Sequence, residues 1–314
     1  MPEPEGPPRR RIVVVGDVVT DVLAVLAAPL ATGSDTRADV RQTGGGQAAN
    51  TAAWLGWEGG DVTLVAAIGA DEAGQARVDE LAAAGVRCAV RRCPDAPTGT
   101  VIVLVHDGER SMITDRGANL KLEPADVDAA LAAAPDATHL HLSGYTLLDR
   151  ASRAAGRHAL AAARRHGLTT SVDAASAEPL RQVGAAAFLQ WVRGVDLLLA
   201  NADEAAALTG TALLPDRPSS AVARARALRG IARHVVLKRA GEGAVWAEPT
   251  GVVTEQPAQR VPVVDATGAG DAFAAGLLAA WVTGAEPAEA LRRAGELGAI
   301  AVSTVGARPP LPRT

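Results

Sequence analysis

VVDATGAGDAF, residues 263–273, sets Gly268, Ala269 and Gly270 in a row and follows them with an acid, Asp271. The segment that begins there, AGDAFAAGLLAAWVT (269–283), is rich in alanine and leucine and reads as a helix. The glycines therefore stand at a helix N-terminus, where no side chain keeps a ligand from the backbone. The first N–H groups of a helix have no acceptor four residues back, and the helix dipole is positive at that end. Together these make an anion site. Asp271 alone would be a capping acid. Beside a phosphate pocket, its carboxylate can instead take the proton of an attacking hydroxyl, while the neighbouring N–H groups stabilise charge on the transferred phosphoryl group.

Upstream of this stretch, short β-branched runs alternate with longer Ala/Leu/Arg segments. Strands are expected at 11–19, 61–69, 86–92, 100–106, 137–144, 168–174, 195–201 and 234–240. Helices are expected at 48–57, 72–84, 150–166, 180–193, 203–209 and 218–232. This alternation predicts an α/β fold, a central mostly parallel sheet with helices on both faces, whose ligands bind at the carboxyl ends of the strands. Residues 18–43 and 98–117 break the rhythm with turn formers and alternating patterns, and read as strands of a small β-sheet lid. No repeat, linker or domain boundary interrupts residues 1–314, so a single domain carrying that lid is expected.

The chain has 314 residues, 48% of them hydrophobic and 21% charged, with a net charge of −4. That balance argues against nucleic acid or a membrane surface as a partner held by bulk charge. No apolar run is long enough to span a bilayer, and the N-terminal MPEPEGPPRRR reads as a frayed tail rather than a signal peptide. Two cysteines, Cys88 and Cys93, make neither a disulfide framework nor a zinc site, which fits a reducing, cytoplasmic setting. Lysine occurs only at Lys121 and Lys238, so any role for a compact ammonium has two candidates.

Two further stretches carry chemistry. In TGGGQAANTAAWLG (43–56), the backbone of Gly45 and Gly46 and the Asn50 amide can hold a sugar hydroxyl. Gly44, Gly46 and Ala49 also satisfy a degenerate dinucleotide fingerprint. A true fingerprint directly follows the first strand, however, and about 25 residues separate Val19 from Gly44. In ANADEAAALTG (200–210), Asn201 and Glu204 share a helical face at a strand's carboxyl end, an arrangement that suits a hydrated Mg²⁺. His139 and His141 alternate on one strand without a third ligand and read as core or sheet-edge residues. Arg110 and Arg116 fall in the lid and read as surface charges, either of which could meet an acidic or phosphorylated acceptor.

GGGQAANTAAWLG, DATGAGDAF and the intervening Asn201/Glu204 pair, in this order and spread nearly end to end, resemble the PfkB/ribokinase family of carbohydrate kinases. The resemblance implies a ribokinase-like fold, ATP and Mg²⁺ as cofactors and a small sugar as acceptor. It makes Asp271 the catalytic base and the backbone of Gly268, Ala269 and Gly270 the anion hole. Asp21 would bind the sugar together with Gly45, Gly46 and Asn50. Asn201 and Glu204 would place the phosphates, with Glu204 holding Mg²⁺ through water. Lys238, Gly241 and Gly243 fall near the ATP phosphates, although Ala240 stands where the family has glycine. Asp265 and the tail 301–312 match the segments that hold a monovalent cation, K⁺, in some relatives, and pairing of two copies through the lid also occurs in the family.

The acceptor stays open among ribokinase-, fructokinase-, 2-keto-3-deoxygluconate kinase- and nucleoside kinase-like readings. Gln47, where phosphosugar kinases of the family carry lysine, weighs against a phosphorylated acceptor. A sugar acid would need a cation, for which Arg116 is the candidate, and the lid has few aromatics to stack a base. Outside the enzyme class stands a non-catalytic sugar- or nucleotide-binding regulator.

Overall fold

Along RIVVV, Val13 and Val15 belong to one hydrophobic cluster and Ile12 and Val14 to another. A strand apolar on both sides belongs in the middle of a sheet covered on both faces. The structure, a computed structural model, describes residues 10–107, 109–210 and 218–310. The expected frayed tail, the end of the 301–312 segment and the Arg110 side chain lie outside the described residues.

The strands are β1 (Arg11–Val15), β2 (Val19–Leu26), β3 (Ala38–Gly45), β4 (Asp61–Gly69), β5 (Val86–Cys93), β6 (Gly99–His106), β7 (Glu109–Asp115), β8 (Ala137–Ser143), β9 (Thr169–Asp173), β10 (Leu197–Asn201), β11 (His234–Lys238), β12 (Ala244–Ala247) and β13 (Val253–Gln256). The helices are α1 (Gln47–Trp57), α2 (Glu72–Ala83), α3 (Pro124–Ala132), α4 (Tyr145–Leu148), α5 (Arg153–Arg165), α6 (Ala177–Val183), α7 (Ala185–Trp191), α8 (Ala202–Thr209), α9 (Pro218–Leu228), α10 (Ala269–Trp281) and α11 (Pro287–Val302).

Among the described residues, nine strands form the large sheet in the order β13-β12-β11-β10-β9-β8-β1-β4-β5. It is parallel from β11 to β5, and β12 and β13 add antiparallel strands at one edge. Helices α3, α5 and α7 to α9 cover one face, and α1, α10 and α11 the other. The chain builds outward from β1 through β4 to β5, then returns to β8 and builds the other way. The reversal lies between β1 and β8, and at such a switch point the carboxyl ends of the strands leave a crevice.

The small sheet has the order β3-β2-β6-β7. It grows from the stretches expected to do so, and β2 and β3 pair antiparallel with Asp21 opposite Thr43. Several boundaries differ from expectation. The strand expected over 11–19 ends at Val15, and β2 begins separately at Val19, while the helix expected to reach 232 ends at Leu228. The helix expected over 180–193 is two helices, α6 and α7, parted by Gly184 at φ +89°. The helix expected from 150 starts at Arg153, after the short α4. The strand expected to reach 240 ends at Lys238, because a 3₁₀ turn follows at 240–242.

Candidate active site

The N-terminus of α10 lies beside the crevice. Gly268, its first cap residue, has φ +72° and ψ 0°, a left-handed conformation that favours glycine. A Cβ there would also lie 2.6 Å from Ala307 Cα. The Asp271 N–H closes a tight turn on the Gly268 carbonyl at 3.0 Å, and Ala272 N–H bonds the same oxygen at 2.9 Å. Above this turn stands Lys238: a methyl on Gly270 would sit 3.4 Å from its Nζ. The residues expected to form the anion hole and one of the two lysines thus come together.

Asp271 is half-buried in the first turn of α10, and Asn50 Nδ2 donates to its Oδ2 at 2.8 Å. Burial is the main force raising the Asp271 carboxyl, to about 8. The Asn50 hydrogen bond works against burial, Asp173 and Asp17 add to it, and Lys238 opposes it. Asn50 is itself buried, and its Oδ1 has no partner. The amide therefore holds the acid through its nitrogen, while its oxygen is a buried acceptor with no partner among the described residues.

The residues expected to hold the acceptor lie after β1, at the start of β2 and at the end of β3. Asp17 is buried, and its two oxygens accept from the Gln47 and Ala48 N–H groups, each at 3.2 Å, which fixes the start of α1 behind Gly46. Asp21 lies against Gly45, where a Cβ would come within 2.3 Å of its carboxylate. Burial is the largest influence on Asp21 and raises its carboxyl to about 6. Arg308 lowers it, Asp17 raises it and Arg77 lowers it. Gly45→Ala therefore has to displace Asp21. The expected result is an acceptor KM raised about tenfold or more with the KM for ATP unchanged, measured by steady-state kinetics.

Arg116, at the end of the lid, turns inward. Its Nε donates to Asp149 Oδ2 at 3.1 Å, its Nη1 lies 3.5 Å from Asp17 Oδ2, and its guanidinium stacks 4.6 Å from the Tyr145 ring centroid. Gln47 is held by Ser143, whose Oγ donates to its Oε1 at 2.7 Å.

Among the residues expected on the nucleotide side, Asn201 caps α8 in a reciprocal box. Its Oδ1 accepts from Glu204 N at 2.9 Å, and Glu204 Oε2 accepts from Asn201 N at 2.8 Å. Glu204 Oε1 also accepts from Asn201 Nδ2 at 2.6 Å. The spacing chosen for chemistry is therefore also a helix start. Glu204 is buried, and burial raises its carboxyl while Lys238 lowers it. Lys238 Nζ donates to Asp173 Oδ2 at 2.5 Å. Burial disfavours the ammonium, but Asp173 and Glu204 more than offset that, and its pKa is raised. Ala240 adopts φ +48°, so the backbone keeps a left-handed turn without glycine. Gly243 is needed for packing, since a Cβ there would lie 2.0 Å from Gln256 O, whereas Gly241 is exposed.

Asp265 is buried beneath the loop. Its Oδ1 accepts from Thr267 N and Oγ1 at 2.9 and 2.7 Å, and its Oδ2 accepts from Gly306 N at 2.9 Å. It joins the hallmark loop to the C-terminal tail. His139 and His141 lie in the core, where Ser171 Oγ bonds both rings at 2.7 and 2.8 Å. Burial lowers them to about 3 and about 4, so both are neutral.

Sequence reasoning did not single out Asp173, Tyr145 or Arg308. Asp173 had a usable signal, an acid closing the strand run TTSVD. Arg308 had none, because only the fold brings the tail back to Gly45.

The profile of the pfkB family carbohydrate kinase matches residues 9–314. An ATP-dependent ribose-1-phosphate kinase of Halopiger xanaduensis is 33% identical over 301 residues, which cover 95% of this chain and 94% of that protein. A fructokinase of Klebsiella pneumoniae is 32% identical over 320 residues, 96% of each chain. An E. coli chain solved in complex with ATP and Mg²⁺ superposes with a TM-score of 0.81 at 22% identity, covering 95% of this chain and 94% of that one. This chain belongs to the pfkB family and is an ATP-binding carbohydrate kinase.

Proposed function

We propose that this kinase transfers the γ-phosphate of ATP to a hydroxyl, a primary one, of a small sugar of the ribokinase or fructokinase kind. The observation that carries this reading is the Asp271 carboxylate, held by Asn50 at 2.8 Å in the first turn of α10. Asp21 and the Gly45–Gly46 backbone hold the sugar, and the small sheet closes over it. Asp271 takes the hydroxyl proton as the acceptor oxygen bonds to the γ-phosphorus. The bond from that phosphorus to the β-phosphate oxygen breaks, and ADP leaves. The N–H groups at Gly268, Ala269 and Gly270, with Lys238, balance the charge on the moving group.

The oxygens of Glu204 and Asn201 suit Mg²⁺, which keeps its waters. Glu204 would hold it through one of them, and Mg²⁺ would supply charge neutralisation of the phosphates. Asp265 and the tail carbonyls would hold K⁺. The reading also includes a cytoplasmic setting and pairing of two copies through the lid. Exposed Ile102 and Ile113 stand opposite each other on the sheet face away from Asp21. Among the described residues no helix is long and apolar enough to cross a membrane.

Arg116 favours a second reading within the class, an acceptor that carries its own anion, such as a sugar phosphate or a sugar acid. With Gln47 engaged by Ser143, Arg116 is the cation beside Asp17. ADP release is to be measured with ribose, fructose, ribose 1-phosphate, 2-keto-3-deoxygluconate and nucleosides, with and without K⁺. Activity above the ATPase background with one of these is expected, and none with any would place the acceptor outside this set. Arg116→Ala is expected to lower kcat/KM about tenfold or more for an anionic acceptor and to change it little for a neutral one.

A further inference from the structure

Residues 306–308 run behind the reaction centre and touch both of its halves. Gly306 N donates to Asp265 Oδ2, and Ala307 fills the space a Cβ on Gly268 would need. The Ala307 carbonyl accepts from Trp54 Nε1 at 3.0 Å. Arg308 then crosses to the acceptor side. Its Nη1 donates to Ala49 O at 2.6 Å and its Nη2 to Gly45 O at 3.2 Å.

Neighbouring residues of a strand face opposite ways, and the end of β3 uses this. A Cβ on Gly45 would meet the Asp21 carboxylate, whereas one on Gly44 would lie 2.8 Å from Arg308 Nε and 2.4 Å from Glu80 Oε2. The diglycine is therefore pressed between Asp21 in front and Arg308 behind. The two carbonyls that Arg308 grips belong to Gly45, which touches Asp21, and to Ala49, which precedes Asn50.

We propose that Arg308 is a positioning residue of the acceptor site, clamping the Gly45 and Ala49 carbonyls so that Asp21 and Asn50 meet the sugar in register. This rests on the reading that Asp21, Gly45 and Asn50 hold the acceptor. The guanidinium fork matters because two carbonyls on different elements are held at once, which an ammonium cannot reproduce with the same planarity. Against the burial that raises it, Arg308 also lowers the Asp21 carboxyl. Among the groups facing that carboxylate, Arg308 from the tail and Arg77 from α2 lower its pKa, and Asp17 from the loop after β1 raises it.

The test compares Arg308→Gln, Arg308→Lys and Asp21→Asn in the full chain, with D-ribose, D-fructose and ribose 1-phosphate as probes. Arg308→Gln is expected to raise the acceptor KM about tenfold or more while leaving the ATP KM within about twofold. It is also expected to raise the pH below which acceptor binding weakens, since the Asp21 carboxyl loses its strongest cationic influence. Arg308→Lys keeps the charge and so keeps that pH limb near the wild type, but shares the KM defect. A merely structural tail anchor would instead lower the melting temperature and shift both KM values together, or leave the limb unmoved, and either result overturns the proposal. If Asp21→Asn leaves acceptor KM unchanged, the acceptor-site reading fails and takes this proposal with it. Failure of the Arg308 variants alone leaves that reading standing.

Discussion

Asp271→Asn is expected to lower kcat by about 10²–10⁴-fold, to leave ATP binding intact, and to raise the thermal stability of the ligand-free protein. The first effect follows from removing the proton acceptor while keeping the size and hydrogen-bonding reach of the side chain. An amide at this position can still face Asn50 Nδ2 through its oxygen. The stability effect follows from the cost of the charge. Burial, Asp173 and Asp17 raise the Asp271 carboxyl to about 8, more than Asn50 and Lys238 lower it. In the unfolded chain the same group titrates near its ordinary value of about 4.

Between about pH 4 and pH 8 the folded protein therefore binds more protons at this site than the unfolded chain. The contribution of Asp271 to stability is full below about 4 and is lost as the pH rises through about 8. The melting temperature of Asp271→Asn should thus exceed that of the wild type by a margin that widens toward pH 8. In the wild type, kcat/KM should fall as the pH drops through about 8, since the base must be ionised. Near-wild-type turnover by the Asn variant would remove Asp271 from the role of base. A margin in melting temperature that shrinks with rising pH would show that its charge is not the destabilising element.

The parallel sheet was legible because its signals were local. Strands apolar on both sides, such as Val62–Ile68, alternate with helical segments, and that pattern requires a covered parallel sheet. The hallmark loop was legible because glycine runs before a helix have few uses. What sequence could not supply was side-chain pairing across distance. Asn50 and Asp271 were both singled out, but nothing in their own segments says that one holds the other across 221 positions. Asp173 reads as an ordinary strand end until β11 lies two strands away with Lys238 reaching over. The Asn201–Glu204 spacing satisfied two readings at once, since a capping box and a phosphate-side pair need the same residues. The missed helix α11 is instructive in another way. Ala290, Leu291, Ala294, Leu297 and Ala301 are buried at helical spacing, but Gly295 and Gly298 dilute the propensity of the segment. Burial against α10 and β13 overrides that deficit.

Lys238→Met is the substitution expected to separate the structural and chemical duties of the phosphate side. The side chain of Asp173 is 1% exposed, and its cation is Lys238 at 2.5 Å. Removing the ammonium strands a carboxylate in the interior beside Glu204 and Asp271. Breaking such a pair costs about 3–5 kcal/mol, which for a chain of this size lowers the melting temperature by roughly 10 °C. The same change removes the cation that stands over Gly270, so the KM for ATP is expected to rise about 10–100-fold, the worth of one hydrogen bond to a charged group. The two losses part company in Lys238→Met/Asp173→Asn. Neutralising Asp173 removes the stranded charge and should return most of the melting temperature, but it supplies no cation to the phosphates. The double variant should therefore fold nearly as well as the wild type and still bind ATP as poorly as the single one. Recovery of ATP affinity together with stability would mean that Lys238 serves the nucleotide only by holding the fold, and the ammonium would then have no place among the groups that meet the phosphate.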